Sequence, residues 1–124
     1  MATRILIADD HEMMRRGLRS LLESCRDIEV LEARDGREAV QRTSDTRPDL
    51  VILDVSMPVL DGFTAAAEIQ RVVPGTPILI LSFQKTETFS EIARKIGVSG
   101  YLTKGDDSAT LLREIDAAMH AGMK

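Results

Sequence analysis

Cysteine is almost missing from this chain. Cys25 is the only one, which excludes an internal disulfide and any zinc site built on several thiolates. It falls at the end of a predicted helix, where an inert, half-buried thiol is expected. No segment approaches the roughly 18 consecutive apolar residues that a membrane span needs. The first strand starts too close to the amino terminus to leave room for a signal peptide, so a cytoplasmic location without membrane attachment is the expectation. Repeats, low-complexity tracts and long Gly/Ser linkers are absent. Basic charge is in deficit: 16 Lys and Arg stand against 20 Asp and Glu, a formal charge of -4. That balance argues against nucleic acid as a direct partner of these residues, because phosphate binding needs a basic face. A Gly-rich loop after the first apolar run is also lacking, which disfavours a nucleotide site.

What is present suits one domain. The 124 residues are 44% apolar, an ordinary fraction that supplies a single core. Short apolar runs at 4–9, 28–33, 50–54, 78–82 and 98–102 alternate with stretches of helical spacing. In the first such stretch Met14, Leu18, Leu21 and Leu22 share a face, with arginines opposite. The second shows only Ala39 and Val40 as core-like residues, but Asp35-Gly36-Arg37-Glu38 resembles a capping box at its start. The third runs from Phe63 to Val72, after Asp61-Gly62 and before Pro74-Gly75. In the fourth Phe89, Ile92, Ala93 and Ile96 repeat at helical intervals, and Gly97 stops it. The last carries Leu111, Leu112, Ile115, Ala118 and Met119, with Asp107 or Ser108 as its cap. Strands alternating with helices imply a parallel sheet covered on both faces. A flavodoxin-like order, 2-1-3-4-5, would set strands one and three side by side at the switch point. Pattern alone does not determine that order.

The ends of the strands carry the chemistry. Leu50-Val51-Ile52-Leu53 reads as a strand buried on both faces, yet it ends in Asp54. Ile5-Leu6-Ile7-Ala8 likewise runs into Asp9-Asp10. Ser82 closes the fourth strand, and Lys104 follows the fifth, Gly100-Tyr101-Leu102-Thr103. Taken singly, each has a plain structural explanation: a helix cap, a strand terminus, a turn hydroxyl, a surface lysine, a half-buried ring at Tyr101. Together they line one edge of one sheet. Clustered carboxylates repel unless a cation or a shared proton neutralises them. Three hard oxygen donors suit Mg2+, and an ammonium and a hydroxyl suit phosphoryl oxygens.

With these residues in view, the whole chain resembles the receiver domain of a bacterial two-component response regulator. Ile7-Ala8-Asp9-Asp10-His11 is similar to the family's acidic metal-binding opening. Asp54-Val55-Ser56-Met57-Pro58-Val59-Leu60-Asp61-Gly62 matches its phosphoacceptor loop, D-x-x-M-P-x-x-D-G. Ser82 falls on the Ser/Thr switch position, Tyr101 on the aromatic switch position and Lys104 on the family's lysine. The Asp-Asp-His opening and the Gly-Tyr-Leu-x-Lys strand further resemble the NarL/FixJ-like subclass.

The resemblance implies a flavodoxin-like, doubly wound (βα)5 fold over residues 1–124, cut from a longer protein with a helix-turn-helix output domain. It implies that Asp54 accepts a phosphoryl group from a sensor histidine kinase, with Mg2+ held by Asp10, Asp54 and the Ser56 backbone carbonyl and Asp9 acting partly through water. Lys104 would pair with the phosphoryl group, Ser82 would hydrogen-bond it, and Tyr101 would turn into the space vacated. Such a domain is a signalling module and not a turnover enzyme. It would contact DNA only through its output domain, and could dimerise through the fourth helix, fifth strand and fifth helix, or through the first and fifth helices. Gly105 departs from the proline that many receivers carry after the lysine, which implies a looser loop. Ser56, Phe83 and Gln84 lie near the phosphoryl position and vary in the family. Three alternatives are weaker. A haloacid-dehalogenase-type phosphatase would need an acid where Ser56 stands. A receiver-like module that is never phosphorylated would usually lack one of the acids or the lysine. A nucleotide-binding domain would need the missing Gly-rich loop.

Overall fold

A computed structural model describes residues 3–25, 27–83 and 86–121. Five strands, β1 (Thr3–Ala8), β2 (Ile28–Ala33), β3 (Leu50–Asp54), β4 (Ile78–Ser82) and β5 (Gly100–Thr103), alternate with five helices. The helices are α1 (Glu12–Glu23), α2 (Gly36–Thr46), α3 (Gly62–Val72), α4 (Glu87–Ile96) and α5 (Ser108–Ala121). The strands form one parallel sheet in the order β2-β1-β3-β4-β5, the order expected for the flavodoxin-like fold. Central β1 and β3 pair in register, with Ala8 opposite Leu53. The next pairings set Asp54 opposite Leu81 and Ser82 opposite Thr103.

Strand side chains alternate between faces, and that alternation divides the core in two. Ile5, Ile7, Leu50, Ile52, Leu79, Leu81 and Leu102 pack against Leu18 and Leu22 of α1 and Leu111 and Ile115 of α5. Leu6, Ala8, Val51, Leu53, Ile78 and Ile80 pack against Ala39 of α2 and Ala65, Ala66 and Ile69 of α3. All residues of β3 and β4 are buried, which is why these strands read as unbroken apolar runs.

Most helix ends stand where the sequence sets them. Asp35 accepts from the Glu38 backbone N–H at 2.8 Å, and the Glu38 carboxylate reaches back to the Arg34 N–H at 3.1 Å. Asp107 is the cap of α5, accepting from Thr110 N–H at 2.8 Å. Gly97 ends α4 in the left-handed conformation, φ 88°. Cys25, just beyond α1, is half-buried. The fifth strand runs from Gly100 to Thr103, as the sequence reading has it, and pairs with β4 from Leu79 opposite Gly100; Val98, at the start of the apolar run, only packs against the core. Two local expectations need correction. The buried residues of α2 are Gly36, Ala39 and Thr43, while Val40 is only partly covered. The arginines of α1 are not all on its solvent face, since Arg15 is buried.

Two close approaches hold the loop after β3. A Cβ on Gly62 would lie 2.1 Å from the Asp54 carbonyl oxygen, and one on Gly36 would lie 1.9 Å from the Leu60 carbonyl oxygen. Glycine is required at both, because backbone occupies the space a side chain would take. Asp61 caps α3 by accepting from Thr64 N–H at 2.9 Å. Within this loop Val59 takes φ 69° and stands 76% exposed, a strained setting for a β-branched residue.

Candidate functional site

Alternation along the strands also selects which strand-end groups meet. Asp9 continues the line of Ile5 and Ile7, Asp54 that of Leu50 and Ile52, and Lys104 that of Leu102, all on the α1/α5 face of the sheet. The ladder persists past the strand ends: Asp9 N–H donates to Ala33 O at 3.2 Å and Lys104 N–H to Ser82 O at 2.7 Å. The three side chains therefore converge. Lys104 Nζ stands 3.2 Å from Asp54 Oδ2 and 3.4 Å from Asp9 Oδ2. Their side chains are 2%, 3% and 0% exposed.

Asp10, the next residue along the chain, remains partly open to solvent. His11 closes the group: its Nδ1 is 3.2 Å from Asp9 Oδ1, 3.3 Å from Asp10 Oδ1 and 3.8 Å from Asp54 Oδ2. Its backbone N–H donates to Asp9 Oδ1 at 2.8 Å, an Asx-type turn that orients the loop. The Ser56 N–H makes the equivalent contact to Asp54 Oδ1 at 3.3 Å. Phe83 covers the site from the β4 end. Lys104 Nζ lies 4.7 Å from its ring centroid, and the His11 ring meets it edge-on at 6.4 Å.

Burial raises the Asp54 carboxyl above its ordinary 3.8, and the Asp9 charge adds to this; Lys104 opposes both, and the group is pushed up to about 6. An ordinary, freely ionised aspartate is thus not what the fold provides. At neutral pH Asp54 is still mostly a carboxylate, and it is a more basic oxygen nucleophile than an exposed one.

The acids are held from behind. Arg15 donates from Nη1 to the Asp9 carbonyl oxygen and from Nε to Glu32 Oε1, both at 2.7 Å. Arg19 pairs with the other Glu32 oxygen. Burial alone would raise the Glu32 carboxyl, but hydrogen bonds from the two arginines outweigh it and hold the group below its usual range. A buried arginine on an otherwise polar helix stripe leaves no trace in apolar spacing, and Arg15 was not expected here. His11 and Phe83 carried a sequence signal only by adjacency, one beside Asp9-Asp10 and the other beside Ser82.

Ser82 and Tyr101 occupy the opposite face. Ser82 is buried, and Tyr101 packs on the α2/α3 side of the core. Burial raises the Tyr101 phenol, and a hydrogen bond with the Ser82 side chain lowers it in part. A hollow of 290 Å³ beside the ring is lined by Ser90, Ala93, Arg94, Val98 and Gly100. The Lys104-Gly105 turn is closed by Asp106 N–H donating to Thr103 O at 3.0 Å. A larger cavity of 880 Å³ opens at the amino edge of the sheet, among Thr3, Pro48 and Pro77, far from these groups.

The donor set fits a hard divalent cation. Asp9, Asp10, His11 and Asp54 each offer a ligand atom, all within 4.8 Å of one another. Asp9 Oδ2 and Asp54 Oδ2 are buried and share one ammonium, that of Lys104, at 3.4 and 3.2 Å. One positive charge against these two buried carboxylates, with Asp10 beside them, leaves negative charge that a dication would neutralise.

Comparison with known proteins points the same way. Residues 5–116 match the family model described as "Response regulator receiver domain". Over 121 residues the chain is 32% identical to the transcriptional regulatory protein LnrK of Bacillus subtilis, covering 97% of this chain and 55% of that protein. Over 113 residues it is 40% identical to a protein-glutamate methylesterase/protein-glutamine glutaminase of Caldanaerobacter subterraneus, covering 87% of this chain and 30% of that protein. A two-component response regulator of the LuxR family from Aurantimonas superposes with TM-score 0.92 at 34% identity, covering 98% of this chain and 87% of that one. The chain thus spans between 30% and 55% of the length of these two curated relatives.

Proposed function

Because this chain belongs to the response regulator receiver family, we propose that it is a phosphoacceptor signalling domain in which Asp54 takes a phosphoryl group from a sensor histidine kinase. The observation that carries this reading is the buried Asp54 carboxylate at a central strand end, 3.2 Å from the buried Lys104 ammonium. In the transfer an Asp54 oxygen attacks phosphorus, the P–N bond to the kinase imidazole breaks, and the imidazole leaves with a proton. Asp54 needs no base, since it is largely ionised above the value of about 6 that its surroundings impose.

Asp10, Asp54 and the Ser56 carbonyl would hold Mg2+, with Asp9 acting partly through water. Bound there, the ion would neutralise phosphoryl oxygens as charge gathers on them. Lys104 would pair with the same oxygens, its ammonium lying 4.7 Å from the Phe83 ring centroid. The acyl phosphate carries about -1.5 to -2 charges next to Lys104, in place of the -1 of the carboxylate, and brings three new acceptor oxygens. Ser82 would then turn to hydrogen-bond it, exchanging its contact with Tyr101, whose ring borders the 290 Å³ hollow and can shift. Near-complete conversion between two states requires the phosphoryl group to favour one by about 5.5 kcal/mol.

The receiver would sit in a longer regulator. Similarity to LnrK over nearly the whole chain favours transcription control through a DNA-binding helix-turn-helix domain, in keeping with a NarL/FixJ-like subclass. The methylesterase relative supports a second reading, an enzymatic output domain switched by the same receiver. In either case the receiver itself is not a turnover enzyme, although it promotes its own phosphorylation and dephosphorylation. No helix of the described residues is long and apolar enough to cross a membrane, in keeping with a cytoplasmic location. Dimerisation through α4, β5 and α5, or through α1 and α5, would transmit the switch. Sedimentation with Mg2+ and beryllofluoride, a mimic of the phosphoryl group, tests modification and assembly together. The expected result is a beryllofluoride-dependent change in mass or shape that Asp54→Asn abolishes; an identical response in Asp54→Asn would refute the reading.

A further inference from the structure

We infer that Arg15 is a positioning residue for the phosphoacceptor site: backed by Glu32, it fixes the peptide plane between Asp9 and Asp10, and so the direction in which Asp10 presents its carboxylate. The inference rests on the Mg2+-dependent reading of the preceding section and adds to it two residues that do not touch the ion. Arg15 is buried near the start of α1. Helix stability gives no reason for it to be there. The start of a helix is its positive end, where a cation is disfavoured, and a buried guanidinium is costly unless its donors are satisfied. Those donors go to one loop and one strand. Nη1 donates to the Asp9 carbonyl oxygen and Nε to Glu32 Oε1, both at 2.7 Å. Glu32 lies on the edge strand β2 opposite Ile7, and its second oxygen pairs with Arg19, so its carboxylate is held from both sides. A peptide unit is planar, which makes the Asp9 carbonyl and the Asp10 N–H turn together. The rest of Asp9 is already fixed: its N–H donates to Ala33 O at 3.2 Å, and its carboxylate meets Lys104 and the His11 N–H. Asp10 is partly open to solvent, with the His11 ring 3.3 Å from its Oδ1, so its aim depends on the plane that precedes it.

Amide NMR titration of the full chain with Mg2+ tests this, alongside labelling by acetyl phosphate. The variants are Arg15→Met, Glu32→Gln and the double replacement Arg15→Met/Glu32→Leu. Charge and positioning predict opposite signs. A fixed cation repels a dication, so an Arg15 that acted through charge alone would make Arg15→Met bind Mg2+ more tightly. The expected result is instead a loss of Mg2+ affinity of about tenfold, the scale seen when groups that hold metal ligands from behind are removed. The double replacement removes one charge of each sign and fills the space with apolar groups, a change that folds commonly tolerate, and it should show the same loss. Glu32→Gln keeps an acceptor for Nε and should bind Mg2+ close to the parent. At saturating Mg2+ every variant should label at the parent's rate, because Asp54 and Lys104 are untouched. Parent-like or tighter Mg2+ binding in Arg15→Met or in the double replacement overturns the inference, even where the parent labels normally on Asp54. Arg15-dependent Mg2+ binding in a protein that acetyl phosphate never labels would count against the phosphoacceptor reading and still support the positioning role of Arg15.

Discussion

Replacing Asp54 with asparagine should stabilise the protein, by an amount that depends on pH. Burial, with the Asp9 charge behind it, pushes the Asp54 carboxyl from 3.8 to about 6, even with Lys104 opposing. A raised value means that the folded state holds this proton more tightly than the unfolded chain does. Below pH 3.8 both states keep the proton and the site costs nothing. Above about 6 both have lost it, and the fold carries a buried carboxylate at its full penalty. A gap of roughly 2 pKa units is about 3 kcal/mol. Stability is therefore lost as pH rises from about 4 to about 6, and Asp54→Asn is spared the loss. Urea unfolding of parent and variant should show little difference at pH 4 and an advantage for the variant of about 2–3 kcal/mol at pH 7.5, with matching slopes. Millimolar Mg2+ should narrow the gap by stabilising the parent alone. A difference that is flat with pH, or that grows toward acid, would refute the reasoning.

Other substitutions probe the same framework. Lys104→Met leaves Asp9 and Asp54 facing each other without their cation, and should cost about 3–5 kcal/mol at pH 7.5 but clearly less at pH 5, where Asp54 can keep its proton; equal losses at both pH values in urea titrations would contradict this. Gly62→Ala sets a methyl 2.1 Å from the Asp54 carbonyl oxygen, so it should lower stability by about 2 kcal/mol or more and weaken Mg2+ binding, as calorimetry would read. Val59→Gly relieves a left-handed β-branched residue and should raise stability by about 1 kcal/mol at neutral pH in the same urea assay, less the entropy glycine loses on folding.

Much of the fold was legible because its strands are buried on both faces. Leu50 to Leu53 and Ile78 to Leu81 have no solvent side, so they appear as unbroken apolar runs whose polar last residues stand out. Those last residues, Asp54 and Ser82, are candidate site positions for that reason. The face of α2 was harder to read. Its contacts are made by Gly36, Ala39 and Thr43, small because the helix start lies against the Leu60 backbone, and small residues give weak periodicity. Arg15 escaped notice because a buried arginine looks like any surface arginine until its partners, the Asp9 carbonyl and Glu32, are brought together by the β1–β2 pairing. The basicity of Asp54 was equally hidden. It depends on Asp9 and on burial, and both follow from strand order, which hydrophobic pattern does not determine. His11 stood beside the acids in the sequence, but only the turn at Asp9 aims its Nδ1 at all three carboxylates.

The central claim is that Asp54 is the group that becomes phosphorylated, and transfer from acetyl phosphate measures it most directly. Incubated with radiolabelled acetyl phosphate and Mg2+, the protein should acquire a hydroxylamine-sensitive label that maps to Asp54, fails to form after chelation, and is absent from Asp54→Asn. No label in the parent, or undiminished label in Asp54→Asn, would contradict the account.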